Sequence, residues 1–295
     1  MSAAWPSRML GGAADDWRMA VLKSSNPVLS NNNFGVEAYE SLGVPIAGAG
    51  ARGASADSKA MSVQGTVNKC FLLLTLCGGS AGAMWYAITA GHIAPFYGLI
   101  GGLVACLLGL VMFFAPKSSV VLAPAYALFE GPMLASLSYF VANMIDAKIV
   151  AKGGTALGAG LVFQAVLLTF GIFGALLITY TLGLIRLSGF MQRCVVIGAA
   201  GAVLVYLASF ICSMFGIQLG MTNIINAGPL SIGFSLFTVV IASLSLVMDF
   251  QRIEGMSEAG APKHMEWYAG FGLLTTLVWL YIEILYLLAK LRGRE

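Results

Sequence analysis

Seven apolar stretches, each close to the length that crosses a bilayer, leave this chain few ways to fold. A helix spans ~30 Å of hydrocarbon with ~20 mostly apolar residues. Stretches 67–90, 96–114, 120–145, 156–182, 194–215, 229–250 and 270–290 meet that requirement. Their apolar residues run continuously instead of alternating, which excludes the strands of a transmembrane barrel. The connections are short, so neighbouring helices are expected to run antiparallel. The expected fold class is an all-α integral membrane protein, a seven-helix bundle over residues 66–295.

Composition removes the competing classes. Of 295 residues, 59% are hydrophobic and 10% charged, whereas a soluble domain carries roughly 25% charged residues. So little charge cannot cover a water-facing surface, which excludes soluble enzymes, nucleic-acid binders and secreted disulfide scaffolds. A formal net charge of +3 is too small to suggest a polyanionic partner. No enzymatic activity and no resident cofactor are expected. Cys70, Cys77, Cys106, Cys194 and Cys212 form no C-x-x-C pair and read as buried, inert thiols that pack as small hydrophobes. The spacings Gly78/Gly82, Gly98/Gly102 and Gly154/Gly158 fit helices that approach closely in lipid.

Residues 1–65 hold several acids, a run from Asn31 to Asn33 and a small-residue stretch, the composition of a polar, mostly disordered tail. Residues 61–68 are expected to form a short interfacial helix leading into the membrane. Lysine and arginine set orientation through the short loops. With the N-terminus inside, Lys117, Arg186, Arg193, Arg252 and Lys263 fall in cytoplasmic loops and Lys59 and Lys69 near the first helix, against Lys148, Lys152 and the tail residues Lys290, Arg292 and Arg294 on the other side. The margin favours a cytoplasmic N-terminus. The basic C-terminus is then outside unless the last helix fails to cross.

Charge within a bilayer costs ~2.5–3.5 kcal/mol per residue on insertion scales, so each intramembrane acid is a functional candidate. Three qualify: Glu130 in the third stretch, Asp249 near the end of the sixth and Glu283 inside the seventh. Asp249 has a plainer reading as the polar end of its helix, and Glu283 as interhelical packing glue. Gly131 and Pro132 beside Glu130 suggest a helix break, tolerated where backbone lines a polar cavity. Asp249 and Glu283 reach the same depth only if 262–269 lies along the membrane surface and the last helix starts at 270–272. If both helices run straight to a turn at 260–262, they miss by more than two turns. In contact, the two carboxylates could not both ionise cheaply, and the pair would share a proton. Ionised, these oxygens suit a hard divalent cation such as Ca²⁺.

Two competing motifs fail on a missing residue. Gly78-Gly79-Ser80-Ala81-Gly82 matches G-x-S-x-G, but His92, the only nearby histidine, lies in the loop outside that helix. A seven-helix retinal protein needs a lysine midway along its last helix, where this chain has Glu283.

At its acids the chain resembles the Bax inhibitor-1/YccA family, the transmembrane Bax inhibitor motif proteins, and within it the bacterial branch with a long N-terminal tail. The likeness runs through Met61-Ser-Val-Gln-Gly65, Leu122-Ala-Pro-Ala-Tyr126 with Glu130-Gly131, and Phe163-Gln-Ala-Val-Leu-Leu-Thr-Phe170. It is most specific in Val247-Met-Asp249-Phe250, Ala261-Pro-Lys-His-Met-Glu-Trp-Tyr268 and Leu280-Tyr-Ile-Glu283. The resemblance implies a seven-helix bundle with the last helix near its centre, in the bacterial cytoplasmic membrane. It further implies a pH-sensitive Ca²⁺ leak, gated by acids matching Asp249 and Glu283, with Glu130 matching a pore-facing Glu. The second acid, commonly Asp, is here one methylene longer. The alternative is a non-conducting scaffold that binds and modulates membrane-protein partners such as proteases.

Overall fold

The computed structural model describes residues 60–155, 158–217, 220, 222 and 228–294. The tail expected over 1–65 lies outside the described residues except for 60–65. Among the described residues, seven helices are long and apolar enough to cross a membrane. They are α1 (Val63–Thr89), α2 (Phe96–Phe114), α3 (Ser119–Ala151), α4 (Gly158–Thr181), α5 (Gly189–Met214), α6 (Pro229–Glu258) and α7 (Met265–Arg292). A 3-10 turn, Pro116–Ser118, leads into α3. The protein is a multi-pass, all-α membrane bundle.

Several helices run past their apolar stretch into polar residues. α6 continues through Gln251, Arg252 and Glu254 to Glu258, because in the interface the backbone still gains by bonding to itself while charged side chains reach water. It ends at Gly260, whose φ of 66° lets the Ala261 N–H turn back to the Met256 carbonyl at 3.0 Å. That left-handed step suits glycine.

Three local expectations are corrected. Residues 61–68 form no separate interfacial helix: Ser62 caps α1, its hydroxyl accepting from the Gly65 N–H at 3.0 Å, and Met61 donates its N–H to the Ala261 carbonyl at 2.6 Å. α3 does not break at Glu130–Pro132 but runs for 33 residues through Pro124 and Pro132, its neighbours on both sides holding the axis. Residues 265–269 do not lie along the membrane surface, because they are the first turn of α7.

Helix α7 packs against α1, α3, α4 and α6 and carries the most buried membrane window, 50% of it enclosed. The last helix is therefore central. Its Leu273, Leu277, Leu280, Ile284 and Leu285 sit in the main core with Val141, Ile145, Leu161 and Leu246. At 28 residues and 1.5 Å per residue it is ~42 Å long, long enough to cross. The C-terminal end of α7 and the start of α1 therefore lie at opposite ends of the bundle.

The glycine spacings divide. Gly98 and Gly102 do seat α2 on α3, where an added Cβ at Gly98 would strike Ser136 and the Pro132 carbonyl, and one at Gly102 would strike Met133. Gly78 and Gly82 face no neighbour within 4 Å. They line an apolar cavity of about 540 Å³ among α1, α3, α4 and α7. Gly154 precedes α4 and Gly158 opens it, so this pair shares no helix face, although Gly158 packs closely on Ala142. The cysteines also divide: Cys70 and Cys77 are buried, Cys106 and Cys194 exposed, and Cys212 is intermediate.

Candidate functional site

Glu283 is 2% exposed, and its carboxylate is gripped from three helices. The Tyr206 hydroxyl of α5 lies 2.9 Å from each oxygen. Thr238 of α6 donates to Oε2 at 2.7 Å, and the Trp279 indole N–H, one turn back on α7, donates to Oε1 at 3.0 Å. An indole N–H only donates, so Oε1 must accept. The Tyr206 ring is held edge-on against Phe234, with centroids 5.7 Å apart. The Tyr206 and Thr238 hydroxyls can donate or accept, whereas the Trp279 indole N–H can only donate. Farther along α7, Lys290 is also buried, its Nζ donating to the Ser231 carbonyl at 3.2 Å and to Ser235 Oγ at 2.8 Å.

Asp249 occupies a different level. Its Oδ2 accepts from Thr276 Oγ1 at 2.6 Å, and its Oδ1 lies 3.6 Å from Arg252 Nη1 on the same helix. Its side chain is 15% exposed and that of Arg252 is 65% exposed, so the guanidinium pairs with the acid from the surface side. From Thr276 to Glu283 is two turns of α7, ~10 Å. The bend needed to bring Asp249 and Glu283 to one depth does not form. With α6 ending at Glu258 and α7 starting at Met265, the acids lie ~14 Å and ~27 Å from the ends of their helices nearest the α6–α7 turn. The two carboxylates have separate partners.

Glu130, 5% exposed, sits where α3 meets α1 and α7. Its electrostatic neighbours include Tyr126 on its own helix and Cys77 on α1, and Tyr126 also neighbours Thr275 of α7. The Tyr126 ring packs edge-on against Phe271 of α7, with centroids 4.8 Å apart. Gly131 is what lets α1 approach: a Cβ there would overlap Ser80 Oγ and the Cys77 carbonyl oxygen. Thr275 and Thr276 are consecutive, so Tyr126 and Asp249 meet α7 at one level on different sides.

Ca²⁺ takes six to eight oxygen ligands. Among the described residues no group of three or more His, Cys, Asp or Glu converges, and the three acids face separate partners. Each acid is a single carboxylate with its own partners, and among the described residues the three build no shared cage.

Sequence reasoning missed most of Glu283's partners, and it missed Glu266. Glu266 is 0% exposed: Lys69 Nζ lies 2.5 Å from Oε2 and Lys263 Nζ 2.9 Å from Oε1. The Ser62 N–H and hydroxyl donate to Oε1 at 3.0 and 3.1 Å, and an added Cβ at Gly65 would overlap the carboxylate. This clamp ties the start of α1 to the start of α7. The one available signal was Gly65 and Lys69, which share a helix face at i, i+4.

The family model described as Bax inhibitor 1 like matches residues 26–293, and the chain belongs to that family. No curated protein matches it.

Proposed function

We propose that this Bax inhibitor 1-like chain is a pH-sensitive cation leak, permeable to Ca²⁺, in which Asp249 and Glu283 are the protonatable stations and Glu130 is a cation site on the path. The observation that carries the reading is the surround of Glu283: its carboxylate is hydrogen-bonded by Tyr206, Thr238 and Trp279, one side chain each from α5, α6 and α7. A proton on that carboxyl turns one acceptor into a donor. The Tyr206 and Thr238 hydroxyls can then turn to accept from it, Thr238 donating instead to the Ser235 carbonyl at 2.9 Å. The Trp279 indole N–H, which only donates, keeps less acceptor capacity, so the hydrogen bonds that link the three helices rearrange. Protonation is thereby coupled to packing around the central helix. At Asp249 a proton removes the charge that holds Arg252 and weakens the hold on Thr276. Glu130, between α1, α3 and α7, serves as the third oxygen along the cation's route. Intramembrane acids are costly, and three of them around one helix favour an ionic role over packing alone.

Ca²⁺ entry into dye-loaded proteoliposomes, measured at pH 6, 7 and 8, tests the reading. Wild type is expected to conduct with a rate that changes with pH, and the Asp249→Asn/Glu283→Gln variant to conduct with little pH dependence. No flux at any pH from folded protein would refute the leak and favour a partner-binding role. Flux with unchanged pH dependence in the variant would refute the assignment of the switch.

A further inference from the structure

A second pocket, of about 680 Å³, opens between α5 and α6, away from Glu283 and Glu130, and is lined by Gly189, Gln192, Arg193, Val196, Ile197, Met248, Gln251 and Arg252. Its residues are sorted by depth. Taking the helix midpoints as the bilayer centre, Arg193 on α5 and Arg252 on α6 each lie ~13 Å from it at 1.5 Å per residue. Half the hydrocarbon thickness is ~15 Å. Both guanidiniums, on exposed side chains, therefore reach the headgroup level, as long cationic side chains do near helix ends. One turn deeper the wall becomes apolar, with Val196 50% and Ile197 71% exposed and Met248 opposite.

Between the arginines, Gln192 and Gln251 are fixed: Gln192 Nε2 donates to Gln251 Oε1 at 3.3 Å, and both amides donate to the Leu187 carbonyl at 3.2 Å. Of the nearby acids, Glu254 is engaged by Arg186 at 3.0 Å and by the Tyr180 hydroxyl, and Asp249 lies 3.6 Å from Arg252. Arg193 has no ion-pair partner among the described residues.

We infer that this pocket binds an anionic phospholipid, its phosphate between Arg193 and Arg252 and its acyl chains along Val196, Ile197 and Met248. Two guanidiniums on facing helices suit phosphate oxygens, because the planar fork of arginine matches that geometry. Basic pockets between membrane helices are a recurring headgroup site. The apolar lower wall, open to the bilayer, selects a lipid over a soluble anion. The inference does not depend on whether the protein conducts.

The test is native mass spectrometry of the full chain, released from nanodiscs of phosphatidylcholine with one-fifth phosphatidylglycerol. Wild type is expected to retain phosphatidylglycerol in preference to phosphatidylcholine. Each basic residue near an anionic surface is worth roughly a fivefold change in affinity, so Arg193→Gln/Arg252→Gln should lower the preference ~30-fold. Arg193→Gln alone should lower it ~5-fold, and it leaves the Asp249 pair intact. Arg193→Lys/Arg252→Lys, which keeps the charge but loses the planar fork, should retain a preference between those of wild type and the double Gln variant and shows that loss in the Gln variants is not misfolding. Equal retention in wild type and the folded double Gln variant would overturn the site. Displacement of phosphatidylglycerol by millimolar inorganic phosphate would overturn the lipid as its occupant.

Discussion

Removing the Tyr206 hydroxyl isolates the contact on which the account of Glu283 depends. Tyr206→Phe deletes a donor 2.9 Å from both carboxylate oxygens and keeps the ring that packs against Phe234, so little changes except one hydrogen bond. A hydrogen bond to a charged group contributes ~1.5–3 kcal/mol in water-soluble proteins. Within membranes measured interhelical hydrogen bonds average ~0.6 kcal/mol and reach ~1.7. Trp279 and Thr238 remain to hold the carboxylate, so the expected loss is ~1.5 kcal/mol, near the top of the membrane range. The assay is reversible unfolding in mixed micelles with increasing SDS, in wild type and in the Glu283→Gln background. Against a neutral amide the same substitution should cost only the ~0.6 kcal/mol average, leaving a coupling of ~1 kcal/mol between the two positions. An equal cost in both backgrounds would refute the claim that Tyr206 stabilises a charged Glu283. So would no cost in either.

Two further predictions test the packing that positions these groups. Glu266→Gln leaves Lys69 and Lys263 without their shared carboxylate. Both ammonium groups reach partial exposure, 23% and 50% of their side chains, so the loss should be ~1–2 kcal/mol, below the ~3–5 expected when a fully buried pair is broken. The melting temperature in detergent reports it, and an unchanged value contradicts the clamp. Gly131→Leu must push α1 from α3 and should cost ~1–3 kcal/mol or more, while Gly78→Ala, with nothing within 4 Å, should be nearly neutral in the same melt. Equal effects at the two positions would contradict the packing described.

The seven spans were legible because the bilayer dictates their length, and continuous apolar stretches report it. Their ends were less legible: Arg252 and Glu254 look like loop residues but sit in the last turns of α6, since polarity marks the interface and not the end of backbone bonding. The three acids stood out because charge is rare in such stretches. Their partners did not. Trp279 could have been found from its i, i+4 spacing to Glu283, but Tyr206 and Thr238 come from other helices, and which faces meet is decided by packing. Gly78/Gly82 and Gly98/Gly102 have identical spacing, yet only the second pair meets a neighbouring helix. Spacing fixes a face and leaves its neighbour open. The separation of Asp249 from Glu283 rested on where α7 begins, at Met265, beside Glu266, whose partners Ser62 and Lys69 lie about 200 residues away in sequence.

The most direct test of two separate proton stations is a double-mutant cycle on the pH response of Ca²⁺ flux. Wild type, Asp249→Asn, Glu283→Gln and the double variant would be compared in one liposome preparation across pH 6 to 8. Groups more than ~7–10 Å apart with no shared partner usually act additively, and these two lie at levels ~10 Å apart along α7. The account predicts that each single variant removes part of the pH response and that the parts add to the loss in the double variant. If either single substitution removes the whole response, the two carboxylates titrate as one unit, and the account of separate stations is wrong.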